Sequence, residues 1–414
     1  MEQDEYKRFE SHYGIINLVR TRRFQAIMDR LGSSRISKPV GWLLLYAMPV
    51  AAGLGFFLFL SELGILLSPR GAAVATYVRS LSPLANLGLP GINPYLPIVD
   101  GWIALVIAMI IHEGAHGIVA RSLGLPVKSS GLLFFLFVPI GAFVDIDETA
   151  IKTTRPSYSG RVLAAGAGIN LLVGVLCLLL LFGFVSTMKP AVDGIGVTGT
   201  YAGYPAAKAG IQAGDFIVAV NGIHYDNTTE IEAAPWYTIG NNITVSVWRN
   251  GAISNYSVTL ASLEYNNTQT GQISYKPFLG VQEIGYAPLQ GIVSAYTGSF
   301  TTRPALYLCI PTLPACQSQV PFSDTMSLFY TSSLGPWLVP LATLLYWVFF
   351  LNFNLAIFNA LPIYPLDGGQ AFMVGVKALG KGKLSETALM RITSIATLAV
   401  VALILGILAS PYFF

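Results

Sequence analysis

The stretch WIALVIAMIIHEGAHGIVA, residues 102–120, decides how this chain is read, because it sets His112, Glu113 and His116 inside an apolar run long enough to cross a membrane. Residues four apart on a helix share one face, so the two imidazoles project together and can grip one metal ion, with Glu113 beside them. In soluble proteins this spacing marks zinc hydrolases. Here the same groups would lie at membrane depth, where ionisable side chains are tolerated only if they line a protein cavity. The location points to a membrane-embedded hydrolase.

Composition agrees with that placement. Hydrophobic residues make up 53% of the 414 residues and charged residues 11%, and the mean hydropathy is +0.60, outside the usual range of soluble domains. Five apolar stretches, at residues 40–63, 102–120, 162–185, 337–358 and 392–408, match a hydrocarbon core of about 30 Å. The fold expected is a multi-span α-helical membrane protein, a helix bundle carrying an inserted α/β domain. Residues 1–39 are polar and basic and read as a cytoplasmic segment ahead of an anchoring span, not as a cleavable signal. A net charge of +3 gives no reason to expect a nucleic-acid partner.

Lys and Arg number eight before the first span, two between the first and second, and five between the second and third. Five more are diluted over the long stretch after the third span, four are concentrated between the fourth and fifth, and none follows the fifth. Positive charge on alternate loops puts the N-terminus and the last loop in the cytoplasm and exports residues 187–334. Four glycosylation sequons, at Asn227, Asn242, Asn255 and Asn266, fall in that exported segment. Cys309 and Cys316 lie there too, close enough in sequence to bridge, whereas Cys177 within the third span reads as an apolar filler.

The exported segment alternates where the spans are continuous, so it reads as a folded α/β module. Residues 205–210 suit a short helix, 216–220 a strand closing at Asn221-Gly222, and 228–234 a second helix. Residues 243–248 and 252–260 alternate around Asn250-Gly251, a strong hairpin signal. The string PAAKAGIQAGD, residues 205–215, followed by Val220-Asn221-Gly222, resembles a PDZ domain of the kind attached to bacterial-type proteases. That resemblance implies a groove taking an extended peptide end as an added strand, the alternative being a packing module with a blocked groove.

The fourth span runs into NALPIYPLDGG, residues 359–369, where prolines stop the helix. Two histidines leave a zinc site short of a third protein ligand, and Asp367 can supply a hard oxygen while leaving a position open for water. Asp145, Asp147 and Glu148 compete for that role but read as surface charge. Under the topology above, His116 nears the cytoplasmic end of span two and Asp367 follows the cytoplasmic end of span four. Both halves of the candidate site therefore reach one leaflet.

HEGAH at residues 112–116, together with Asn359, Pro362, Pro365 and LDGG at residues 366–369, resembles the site-2 protease family of intramembrane metalloproteases. The PDZ-like insert between the two halves adds to the similarity. The resemblance implies Zn2+ held by His112, His116 and Asp367, Glu113 activating the bound water as general base, and cleavage of another protein's transmembrane helix in regulated intramembrane proteolysis. It also implies substrate-binding roles for Asn359 and for Asn170 in AGAGIN, residues 165–170. The family often shows Pro where this chain has Ala167, and close helix packing alone accounts for the glycines. The apolar stretch at residues 131–144 is too short to span. The resemblance suggests a β-hairpin there that pairs with an unwound substrate, the alternative being a buried loop.

The expected partition is a cytoplasmic segment at 1–39, a first membrane part at 40–186, a PDZ-like domain at 187–262, an unassigned extension at 263–334 and a second membrane part at 335–414. Expected partners are a transmembrane protein substrate, the lipid bilayer and a peptide ligand of the PDZ-like domain, in a prokaryotic plasma membrane. A domain beside the groove would favour substrates already trimmed outside. The alternative function is a catalytically inactive receptor or scaffold that binds exported peptides. A zinc transporter would need further ligands along a path, and His12 and His224 lie outside the spans.

Overall fold

The computed structural model of the protein describes residues 9–12, 15–136, 138–266, 272–298, 302–381 and 383–413. Contacts divide the chain into two units, Met1–Leu178 with Tyr346–Phe414, and Leu179–Leu345. Among the described residues, five helices are long and apolar enough to cross a membrane. They are α2 (Ser37–Leu66), α3 (Ile98–Ser122), α4 (Pro156–Val185), α5 (Leu338–Ala360) and α7 (Glu386–Ala409). Each coincides with an expected apolar stretch and most overrun it, because hydropathy marks the lipid-length portion while backbone hydrogen bonding continues past it. The 30 residues of α2 rise about 45 Å at 1.5 Å per residue, against a core of about 30 Å.

The first unit also contains α1 (Gln25–Gly32), the amphipathic α6 (Asp367–Leu379) and four strands: β1 (Phe9–His12), β2 (Ile16–Thr21), β3 (Val127–Phe135) and β4 (Val138–Ile146). The expected hairpin at residues 131–144 is therefore present as β3 and β4, not as a buried loop. It belongs to an antiparallel sheet ordered β1-β2-β3-β4. The N-terminal segment, read from composition as merely polar and basic, supplies half of that sheet: Ile16 pairs with Phe135 and Thr21 with Ser130. Arg20 fastens the junction. It donates to Asp145 Oδ2 and Ser129 Oγ, both at 3.3 Å, and to Glu10 Oε2 at 3.4 Å, and its guanidinium lies over the Phe143 ring. Gln25 opens α1 by donating to the Val127 and Lys128 carbonyls at 3.1 and 2.8 Å. Met28 then packs with Ala115 and Val119 of α3.

Small side chains let the helices around α4 approach closely. Ala47 and Ala51 of α2, Ala164 and Ala167 of α4, and Ala356 and Ala360 of α5 form one buried cluster. A second joins Leu44, Ala115, Val119, Val162 and Ala165. These two clusters flank the segment of α4 that faces the motif helix α3.

The second unit is built on strands β5 (Ile195–Thr200), β6 (Phe216–Val220), β7 (Asn242–Arg249), β8 (Ala252–Thr259) and β9 (Val281–Ile284), ordered β8-β7-β6-β5-β9. The expected helices are present as Pro205–Ala209 and Thr228–Glu232. The β7–β8 turn falls at Asn250 and Gly251, both at positive φ, as that dipeptide predicts. Asp215, 1% exposed, is held by Arg249 Nη2 at 2.7 Å and by the Gln212 N–H at 2.8 Å. Ile195, Val197, Ile217, Val245, Val247 and Val258 fill the core. The sheet reaches beyond residue 262, since β9 pairs with β5; a pairing between distant segments leaves no local signal. Cys309 and Cys316 are bridged. Asn227 caps its helix by accepting from the Glu230 N–H, and residues 267 and 268 of the last sequon lie outside the described residues.

Candidate functional site

Helix α3 presents His112 and His116 one turn apart, with ring centroids separated by 4.9 Å and both side chains buried. The third group arrives from the break between α5 and α6. Pro362 and Pro365 end the helical ladder, and the chain turns through N–H bonds from Ile363 to Leu361 and from Leu366 to Ile363. Thr397 of α7 ties this loop down, accepting from the Tyr364 N–H at 3.0 Å and donating to the Pro362 carbonyl at 3.3 Å. Gly368 and Gly369 are required by close approach: a Cβ on the first would sit 2.2 Å from the Leu361 carbonyl oxygen, and on the second 2.3 Å from Tyr364 N. The paired glycines thus let α6 begin against the end of α5, which brings Asp367 inward.

There, Asp367 Oδ2 stands 3.1 Å from Nε2 of both His112 and His116. Helix α4 backs the pair. His116 Nδ1 lies 2.7 Å from the Val162 carbonyl, and His112 Nδ1 lies 3.3 Å from Asn170 Nδ2. Between these two contacts is Gly166, where a Cβ would come within 2.4 Å of His116 Nε2 and 2.5 Å of His112 Nε2. The absent side chain leaves the space in front of the donor atoms clear.

The three ligand-type atoms lie within 4.8 Å of one another. Two imidazole nitrogens and one carboxylate oxygen form a three-ligand set of the kind catalytic zinc sites use, with a further position left for water or substrate. The cleft at Gly166 and the outward anchoring of Nδ1 on both rings fit such an ion. Glu113, half-buried and next in sequence to His112, accepts a hydrogen bond from the Val144 N–H of β4 at 3.0 Å. The carboxylate thus lies against β4, the end strand of its sheet among the described residues.

Other acids take structural roles. Asp145 pairs with Arg20, and Asp147 accepts from the Ala150 N–H to cap the short helix that Glu148 opens, an interaction that lowers its carboxyl. Asn170 is fully buried beside His112. Asn359, near the end of α5, is half-buried and its amide makes no hydrogen bond among the described residues. Reading the sequence missed Gly166, the Val162 carbonyl and the Val144 N–H. The run of small residues around Gly166 was a signal, but it is equally a helix-packing signal.

The sequence pattern of peptidase family M50 matches residues 101–405, a range containing His112, Glu113, His116, Asn170, Asn359 and Asp367. The chain belongs to peptidase family M50. Similarity reaches well beyond the motifs: an uncharacterized protein of Methanocaldococcus jannaschii is 26% identical over 360 residues, 87% of this chain and 77% of that one. Zinc metalloprotease Rip1 of Mycobacterium bovis is 26% identical over 339 residues, 65% of this chain and 82% of its own. Zinc metalloprotease RasP of Shouchella clausii is 28% identical over 191 residues, 43% of this chain and 42% of its own. This M50 chain therefore carries its candidate ligands within the matched region of a peptidase family, as the resemblance to site-2 proteases led us to expect.

Proposed function

We propose that this M50 chain is a zinc-dependent intramembrane protease that cleaves a transmembrane helix of another membrane protein. The observation that carries the reading is the meeting of His112, His116 and Asp367 around one small space, with Glu113 beside it. His112, His116 and Asp367 would hold the zinc ion, which when bound would supply an acidified water and polarise the scissile carbonyl. Glu113 takes a proton from the attacking water and returns it to the leaving amine, while the Val144 N–H fixes the direction of its carboxylate. A helical substrate shields its peptide bonds. The outer edge of β4, the end strand of its sheet among the described residues, offers an unwound segment a strand to pair with, along a line that runs past Glu113. Asn359 is proposed to hold substrate, its amide having no hydrogen bond among the described residues, and Asn170, buried behind His112, is proposed to serve substrate binding only through that ring.

The second unit is proposed to be a PDZ-like domain on the far side of the membrane, spanning Ile195 to Ile284, with the outer edge of β9 open to an extended peptide. Sidedness has support from the first sheet, which pairs residues 16–21 with 130–135 and so requires both on one face of the membrane. The Cys309–Cys316 bridge suits an oxidising compartment for the second unit, and archaeal and bacterial relatives suit a prokaryotic plasma membrane. Membrane-impermeant maleimide on intact cells is expected to label Ser254→Cys and to reach Lys381→Cys only after permeabilisation. The reverse pattern would overturn the orientation.

Activity is tested with the purified chain in detergent and a panel of single-span proteins. Cleavage within the span, lost on chelation and restored by zinc, is the expected result. Zinc-replete protein that cleaves none of the panel, yet binds exported peptides, would favour the receptor reading.

A further inference from the structure

Both metal-facing imidazoles hold their inner nitrogen against α4, but their partners differ in kind. His116 Nδ1 meets the Val162 carbonyl at 2.7 Å. A carbonyl only accepts, so the neutral ring must carry its proton on Nδ1 and keep the Nε2 lone pair for the site. His112 Nδ1 meets instead the amide of Asn170 at 3.3 Å, through Nδ2. An amide offers either a donor or an acceptor, depending on which way it is turned.

With the NH2 toward the ring, His112 Nδ1 accepts and its proton sits on Nε2, where it donates to Asp367 Oδ2 at 3.1 Å. That arrangement holds the histidine and aspartate together but leaves no Nε2 lone pair for a metal. It also leaves Asn170 Oδ1 buried without a hydrogen-bond partner, in a side chain with 0% exposure. Such an orphan is costly. Turning the amide by half a rotation puts Oδ1 on Nδ1 with little change of shape. The ring then carries its proton on Nδ1 and frees Nε2. For the displaced NH2, α5 shows a precedent: Asn352 and Asn354 each donate Nδ2 to the carbonyl four residues earlier at 2.8 Å.

We infer that Asn170 is a positioning residue for the metal centre, whose amide turns to accept from His112 Nδ1–H and so selects the tautomer that presents Nε2. This rests on the metal-site reading above and gives Asn170 a role distinct from holding substrate. The side chain satisfies His112 in both tautomers and thereby couples metal uptake to one amide rotation.

Zinc affinity, measured by competition with a chelator in detergent, tests the inference without recourse to activity. Asn170→Leu keeps the volume and removes the acceptor, and is expected to weaken zinc binding by about 10–100-fold, the usual cost of losing a ligand's outer partner. Asn170→Asp keeps an acceptor and is expected to stay within about threefold of the unmodified chain. Zinc affinity unchanged in Asn170→Leu, or equally weak in both variants, would overturn the inference. His116→Ala serves as the control. If it binds zinc as tightly as the unmodified chain, the metal-site reading itself fails; if it does not, the Asn170 pair decides the narrower point.

Discussion

Gly166→Ala is expected to weaken zinc binding severely and to lower cleavage with it, although it adds a single methyl group. The added carbon would lie 2.4–2.5 Å from the two Nε2 atoms, where ordinary contacts need about 3.5 Å or more. The rings cannot simply retreat. His116 is anchored to the Val162 carbonyl and His112 to Asn170. Moving either ring by an ångström breaks an anchor, and the methyl also occupies the space an ion would fill. We expect affinity to fall by on the order of a hundredfold or more, beyond the loss from an outer partner alone. Gly183→Ala on the same helix, where a Cβ meets nothing within 4 Å, is the matched control and should bind zinc normally. Tight zinc binding by Gly166→Ala in the same chelator assay would mean that α3 and α4 can part, and that Gly166 serves packing alone.

The donor set was legible because each part of it has a local rule. Four-residue spacing puts His112 and His116 on one helix face whatever surrounds them, and proline followed by Leu-Asp-Gly-Gly announces the helix break that turns Asp367 inward. Asn250-Gly251 fixed its hairpin for the same reason, since a two-residue turn at positive φ is decided within four residues. What stayed hidden depends on distant segments meeting. Nothing in residues 16–21 says that they will pair with residues 130–135, nor in residues 281–284 that they will pair with β5. Register across such separations is set by which edges remain open after folding. Gly166 shows the intermediate case, a visible residue whose two meanings, packing and clearance, separate only when the imidazoles opposite it are known.

Glu113→Gln should leave the chain folded and loaded with zinc while lowering kcat by about 10²–10⁴-fold, the range that general acid–base catalysis contributes. Glu113 is not among the three groups that converge on the metal position, so its amide counterpart removes no ligand. Its carbonyl oxygen can still accept from the Val144 N–H, which keeps the side chain in place along the β4 edge. What disappears is the capacity to take a proton from water and return it to the leaving amine. KM should therefore change little, since the β4 edge proposed to pair with substrate is untouched. Glu113→Ala removes the Val144 contact as well and is expected to disturb KM and kcat together if that hydrogen bond steadies the strand. The comparison also separates the two functional classes. In a receptor, Glu113→Gln would leave peptide binding and every measurable output intact, whereas in a protease it stops turnover at full zinc occupancy. A variant that cleaves at the unmodified rate would remove Glu113 from the chemistry and leave the proton transfer to another group.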